Sequence, residues 1–183
     1  MIVAVLTVFF FCRHKKISVG AMLDLGCMGL LIGQMIGRWG NFVNREAFGA
    51  ETTLPWRMRL WESADQFIEV HPTFLYESLW NLLGLLIVFV VEKVRKFDGE
   101  NFCFYLFWYG LGRAWIEGLR TDSLYLFDWT IFGAPIRVSQ ALSVVLCVAA
   151  AAVLIYQLVW KKHDPQKLYV NQVQMGEKSS DGN

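Results

Sequence analysis

Long apolar runs broken by short charged patches set the pattern of this chain. Apolar stretches at 20–37, 74–92, 101–119 and 137–160 each approach the roughly 20 residues that cross a bilayer as a helix. A fifth run, Met1 to Phe11, ends at Arg13-His14-Lys15-Lys16. At 1.5 Å per residue it covers only about 16 Å of a roughly 30 Å hydrocarbon core. Its positive charges follow the apolar run instead of preceding it, which excludes a signal peptide. The run reads as the last turns of an inward-running span, so the chain is expected to begin inside a helix. A short re-entrant segment is the alternative. The pattern predicts an all-α fold, a polytopic integral membrane helical bundle occupying residues 1–160.

Composition agrees with that class. More than half the residues are hydrophobic (55%) and only 18% are charged, with a mean hydropathy of +0.38, which argues against a water-soluble domain. A net charge of +1 is uninformative by itself, and no nucleic-acid partner is expected. The placement of charge says more than its sum. The lysines fall at Lys15 and Lys16, Lys93 and Lys96, Lys161 and Lys162, then Lys167 and Lys178. Each group ends an apolar run or lies in the tail, so the positive-inside rule assigns them all to the cytoplasm. The span 20–37 then runs outward, 74–92 inward, 101–119 outward and 137–160 inward. Segments 38–73 and 120–136 face the exterior, the first long enough for a small extracytoplasmic subdomain. The C-terminus is cytoplasmic. Residues 161–183 are polar and expected to be disordered.

Cys12, Cys27, Cys103 and Cys147 lie in or beside spans without a C-x-x-C pair or a histidine cluster. They read as small core residues, with no metal site or disulfide framework expected. Gly29, Gly33 and Gly37 recur every fourth residue, a face suited to close helix packing.

Three constellations carry candidate chemistry. The first is Gly37 to Gly49, GRWGNFVNREAFG, which puts Arg38, Asn41, Asn44, Arg45 and Glu46 directly after an apolar helix. Such polarity at membrane depth is costly unless it serves something charged. A guanidinium can hold phosphate oxygens with two parallel bonds; an Arg38–Glu46 ion pair pinning a loop is the competing reading. The second is Tyr109, Arg113 and Glu117, spaced four apart and therefore drifting only about 40° per step on one helix face. An arginine there costs about 2.5–3.5 kcal/mol on insertion scales, so it needs a partner or a task. Glu117 is the natural partner. The third is His71-Pro72-Thr73-Phe74-Leu75-Tyr76-Glu77, with a histidine at a helix mouth and a glutamate one turn inside, placed to hold one of the arginines. A histidine alone is more often structural than catalytic. The cytoplasmic side is read as holding no matching acidic or basic intramembrane residues, which weighs against a path across the membrane. Two arginines, several carboxylates and a tyrosine in the outer half of the bilayer point to an anionic lipid headgroup.

The run Gly37 to Glu46 closely resembles the signature of the bacterial prolipoprotein diacylglyceryl transferase family. So do His71 to Glu77, the Tyr109, Arg113 and Glu117 helix, Arg120-Thr121-Asp122, and Pro135-Ile136-Arg137-Val138-Ser139-Gln140. The resemblance implies a seven-span enzyme of the bacterial plasma membrane, of which about five spans are present here. It implies transfer of the diacylglyceryl group of phosphatidylglycerol to the lipobox cysteine of a preprolipoprotein, without metal or cofactor. By the same resemblance Arg38 and Arg113 clamp the phosphate, with Glu46 and Glu117 among the catalytic residues. Asn41, Asn44, Gly49, Tyr109, His71, Tyr76 and Glu77 would shape the substrate site. The family's His-Gly-Gly motif, a candidate for thiol activation, and a tyrosine of its first span lie in the N-terminal part that this chain lacks. Two alternatives stand beside the transferase: an inactive remnant of it, or a non-enzymatic module that binds anionic lipid.

Overall fold

The computed structural model describes residues 2–61, 66–119, 125–131 and 134–180. Among the described residues six α-helices carry the fold: α1 (Ile2–Lys15), α2 (Val19–Asn44), α3 (Thr73–Glu92), α4 (Glu100–Ile116), α5 (Val138–Ile155) and α6 (Tyr169–Ser180). A 3₁₀ turn, Glu117–Leu119, extends α4, and a π-helical stretch, Tyr156–Trp160, extends α5. Three of these helical runs, Val19–Asn44, Thr73–Glu92 and Ser139–Trp160, are long and apolar enough to cross a membrane. Their outward faces carry large apolar side chains such as Leu25, Ile36, Leu86, Val90 and Val145. In water so much exposed apolar surface would be a liability; against lipid tails it is the expected exterior. The expected helical membrane bundle is present, with four short strands added to it.

The strands form two hairpins. Strands β1 (Met58–Trp61) and β2 (Phe67–Val70) pair antiparallel, with Met58 opposite Val70 and Trp61 opposite Phe67. The second hairpin joins β3 (Tyr125–Ile131) to β4 (Ala134–Arg137). Both connect helices at one end of the bundle, in the two segments that the lysine pattern assigns to the exterior.

Helix ends follow from particular residues. Ser18 caps α2, its hydroxyl accepting from the Ala21 N–H, which satisfies one of the donors a helix start leaves open. No proline interrupts the run after Gly37, and α2 continues through Gly40 past the expected end of the span. It stops where Arg45 turns left-handed (φ 55°) and its N–H closes on the Asn41 and Phe42 carbonyls. Arg38, Asn41 and Asn44 are therefore helical, which corrects the expected loop. Pro72 precedes α3, where its missing N–H is harmless.

Cys27 and Leu31 of α2, Leu85 and Val88 of α3 and Tyr105 of α4 make the central apolar cluster. Cys12 and Cys27 are fully buried, Cys103 and Cys147 partly so, and all four are free thiols. Helices α3 and α4 meet through Trp80 and Trp108. Their indoles stack with centroids 4.3 Å apart, and each donates its N–H to the other's carbonyl, at 3.0 and 2.9 Å. Gly84 and Gly112 make this possible, since a Cβ at either would meet an indole at 2.5 or 2.1 Å. The Gly29, Gly33 and Gly37 face, by contrast, has nothing within 4 Å among the described residues, so the packing expected of it is not formed here.

The tail also departs from expectation. Residues Tyr169–Ser180 are helical, Leu168 is buried, and the Tyr169 N–H donates to the Asp98 carboxylate at 3.2 Å. His163 stacks on Phe97, centroids 5.0 Å apart. A few anchoring contacts suffice to dock a segment whose composition alone would leave it loose.

Candidate active site

Glu77, in the second turn of α3, receives arginines from two neighbouring helices. Arg38 of α2 forms an ion pair with its Oε2, and Arg113 of α4 reaches its Oε1 at 3.2 Å. Arg113 also pairs with Glu117, one turn along, at 3.0 Å. Glu77 and Glu117 are buried, while the two arginine side chains keep 23% and 20% of their surface exposed. The cations are thus the part of the cluster that a ligand could reach. Arg38, Glu77, Trp80, Asn81, Tyr109, Gly112, Arg113 and Ile116 line a small cavity here, about 20 Å³ in volume. That is room for about one water molecule. A phosphate group would have to take the place of the Glu77 carboxylate or open the cavity sideways.

The frame around the cluster is rigid. Ser78 donates to the Met35 carbonyl at 3.0 Å and accepts from the Trp39 indole at 3.2 Å, so α2 is fixed against α3 on either side of Arg38. The stacked Trp80 and Trp108 hold α3 against α4. Gln140 of α5 donates to the Ala114 carbonyl at 2.9 Å, next to Arg113. Such support keeps a binding constellation in place before its ligand arrives.

Other expected site residues fall into two groups. Asn41 lies one turn beyond Arg38 on α2, and Tyr109 lines the cavity one turn before Arg113. The remainder stand apart from the cavity. Asn44 donates to Glu46 at 3.1 Å in an exposed pair, so the Arg38–Glu46 ion pair considered from sequence does not form. His71 Nδ1 lies 3.1 Å from the Tyr76 hydroxyl, which also accepts from the Trp56 indole at 2.9 Å. Gly49 sits where three segments cross. Its N–H donates to the His71 carbonyl at 3.0 Å, and a Cβ would come 2.7 Å from His71 Cβ and 3.0 Å from the Leu119 carbonyl oxygen. His71, Tyr76 and Gly49 therefore form a neighbouring cluster, joined to the arginine cluster through Tyr76 and Trp115, whose rings stack 6.4 Å apart. Arg120, Thr121 and Asp122 lie outside the described residues.

A second ionic cluster, at the lysine-bearing end, escaped the sequence reading. Asp24 of α2 is buried and accepts from the Gly99 N–H at 2.7 Å, the Phe102 N–H at 2.9 Å and Arg95 at 3.3 Å. Arg95 also meets Glu92 at 3.4 Å, and Glu92 accepts from Asn101. The lone aspartate in an apolar span was the available signal, since such a residue needs a partner; that partner lies 71 positions away.

Outside the spans, Glu69 of β2 accepts from Arg59 at 2.9 Å and from Arg57. The hydrogen bond from Arg59, with Arg57 beside it, holds its carboxyl below the ordinary value. Among the described residues no group of three or more histidine, cysteine or acidic side chains is placed to hold a metal ion.

Three membrane-length apolar helices, packed with α4 around a partly exposed pair of arginines, mark a multi-pass membrane protein. The sequence profile of the prolipoprotein diacylglyceryl transferase family matches residues 1–156, and the chain belongs to that family. Its similar relatives include the phosphatidylglycerol–prolipoprotein diacylglyceryl transferase of Lysinibacillus sphaericus (strain C3-41), 41% identical over 168 residues, which are 87% of this chain and 59% of the relative. The protein of the same name from Finegoldia magna (strain ATCC 29328) is 42% identical over 163 residues, 88% of this chain and 60% of that one. That of Listeria monocytogenes serovar 1/2a is 44% identical over 164 residues, 86% and 57% respectively. The chain thus spans less than two thirds of the length of each of these relatives.

Proposed function

We propose that this chain carries the phosphate-binding half of a diacylglyceryl transferase of the bacterial plasma membrane. The donor is phosphatidylglycerol, and the acceptor is the lipobox cysteine of a preprolipoprotein. The observation that carries this reading is the convergence of Arg38 and Arg113, from separate helices, on the single carboxylate of Glu77. The names of the relatives supply the substrates.

In this reading the substrate thiolate attacks the glyceryl carbon that bears the phosphate. A C–S bond forms and the C–O bond to phosphate breaks. Glycerol-1-phosphate leaves with the bonding electron pair, and the thiol proton passes to a base. The phosphodiester carries one negative charge and the departing phosphomonoester carries more. Two guanidiniums aimed at those oxygens gain attraction as the bond breaks, and that difference between ground and transition state accelerates the step. Before the lipid arrives, Glu77 and Glu117 neutralise the two cations, so that neither is left bare in the membrane. On arrival the lipid phosphate replaces Glu77 as the partner of Arg38, while Glu117 keeps Arg113 oriented. Tyr109 and Asn41 flank the headgroup; the cluster of His71, Tyr76 and Gly49 forms the outer rim. The lysine-bearing ends and the tail face the cytoplasm.

The test is the mass of a synthetic lipobox peptide incubated with phosphatidylglycerol vesicles that contain this chain within a transferase of full family length. A gain of one diacylglyceryl group, abolished when the peptide thiol is blocked, is the expected result. Phosphatidylglycerol binding with no mass gain would replace catalysis with the second reading, an anionic-lipid-binding module. Neither binding nor mass gain would remove both.

A further inference from the structure

The hairpin of β1 and β2 uses its edges unequally. On the β2 side the chain at 50–52 is already paired: the Glu69 carbonyl accepts from Thr52 at 2.9 Å, and the His71 N–H donates to Ala50 at 3.0 Å. Since the backbones of residues 69 and 71 point that way, those of Ile68 and Val70 point towards β1, and Leu60 and Met58 face them across the ladder. The N–H and C=O groups of Arg59 and Trp61 are then directed away from β2. Among the described residues no strand pairs with that edge.

A groove of about 290 Å³ runs there, lined by Met58, Arg59, Leu60 and Trp61 on one side and by Phe42, Val43 and Arg45 on the other. Successive strand residues point to opposite faces, so a cavity touching four in a row follows the edge of the strand and does not lie over one face. An open edge is a template for another extended backbone. The wall from α2 leaves space for a few residues of a single chain and not for a second sheet.

The groove also stands at a useful distance from the arginines. Val43 and Arg45 are five and seven residues beyond Arg38 on α2, or about 8–10 Å along the helix at 1.5 Å per residue. An extended peptide covers that in about three residues at 3.3 Å each. We propose that the open edge of β1 receives the polypeptide acceptor as an added strand, pairing with the residues that follow its lipobox cysteine. The acceptor's identity rests on the transferase reading above. Main-chain bonds would serve many different sequences alike, because a strand edge reads backbone and leaves side chains largely free.

The experiment uses this chain in phosphatidylglycerol vesicles and a lipobox peptide extended by six residues, with a photo-crosslinker on the third residue after the cysteine. Crosslinks should map to Met58–Trp61. Methylating the peptide's backbone nitrogens one at a time should weaken binding with a period of two, by about tenfold at the paired positions. Arg59→Pro removes an outward N–H while sparing the bonds to β2, and should lose the crosslink that Arg59→Ala retains. Crosslinks elsewhere, methylation effects without alternation, or equal capture by Arg59→Pro would overturn the proposal. So would capture of a second copy of this chain alone. Phosphatidylglycerol retention in the same vesicles reports separately on the arginine site. Its loss beside an intact crosslink would count against the transferase reading and leave the strand edge standing.

Discussion

Two ionic clusters occupy opposite ends of the same three helices, and they are built to different ends. At the lysine-bearing end Asp24 is enclosed by two backbone N–H groups and by Arg95, whose side chain is only 8% exposed. Every group there is committed to joining the start of α2 to the turn between α3 and α4. At the other end the arginines, among the described residues, pair with carboxylates, keep part of their surface open and border a cavity. A carboxylate held by rigid backbone donors cannot be exchanged without loosening the turn. One held by side-chain guanidiniums can give way to another anion. Buried charge thus serves as a joint in one place and, in the function proposed above, as a site in the other.

Substitutions that treat the clusters alike should separate them. The largest effect on folding is expected for Asp24→Ala, which strands two backbone donors and leaves Arg95 with Glu92 alone, at a cost of about 3–5 kcal/mol. Thermal unfolding in detergent should show a large fall in midpoint. Arg113→Ala should leave folding closer to normal, because Glu77 keeps Arg38. It should reduce lipidation in a transferase of full family length by roughly 10²–10³-fold, as for removal of a transition-state donor; the peptide mass assay measures it.

Neutralising the acids should give effects of opposite sense. Glu77→Gln frees the arginines from a competing anion and should tighten phosphatidylglycerol binding by roughly tenfold, about the value of one charge-assisted bond. Asp24→Asn should leave that binding unchanged while lowering stability. A lipid titration of both variants separates a replaceable counter-ion from a structural one.

The smallest effect concerns Glu69, which is half-buried and outside both clusters. Its carboxyl is held below the ordinary value by Arg59 and Arg57. The contribution to the hairpin is therefore complete above the ordinary carboxylate range and lost as pH falls through the lowered value. Trp61 fluorescence should change at acid pH in the parent protein and lose that transition in Glu69→Gln.

The arginine site was legible because intramembrane charge is rare and the spacing of Arg113 and Glu117 needs only a helix. Glu77 could be foreseen as a partner for one arginine. That it serves two depends on how α2, α3 and α4 pack, which spacing along one helix cannot reveal. The continuation of α2 to Asn44 is hidden in the sequence because polar residues follow the apolar run directly. In the structure only the left-handed turn at Arg45 ends it. Asp24 was overlooked because its partners are backbone groups and an arginine far along the chain. The β1 and β2 strands are four residues each, too short for alternation to announce them. The tail helix rests on Leu168 and Asp98, two contacts that its polar composition hides.

The most direct measurement is retention of phosphatidylglycerol by the purified chain, read by native mass spectrometry from mixed phosphatidylglycerol and phosphatidylcholine micelles. The parent chain should carry phosphatidylglycerol in preference to phosphatidylcholine, and the Arg38→Ala, Arg113→Ala double variant should lose that preference while staying folded. Equal retention of phosphatidylglycerol by the folded double variant would contradict the assignment of the two arginines to the lipid phosphate.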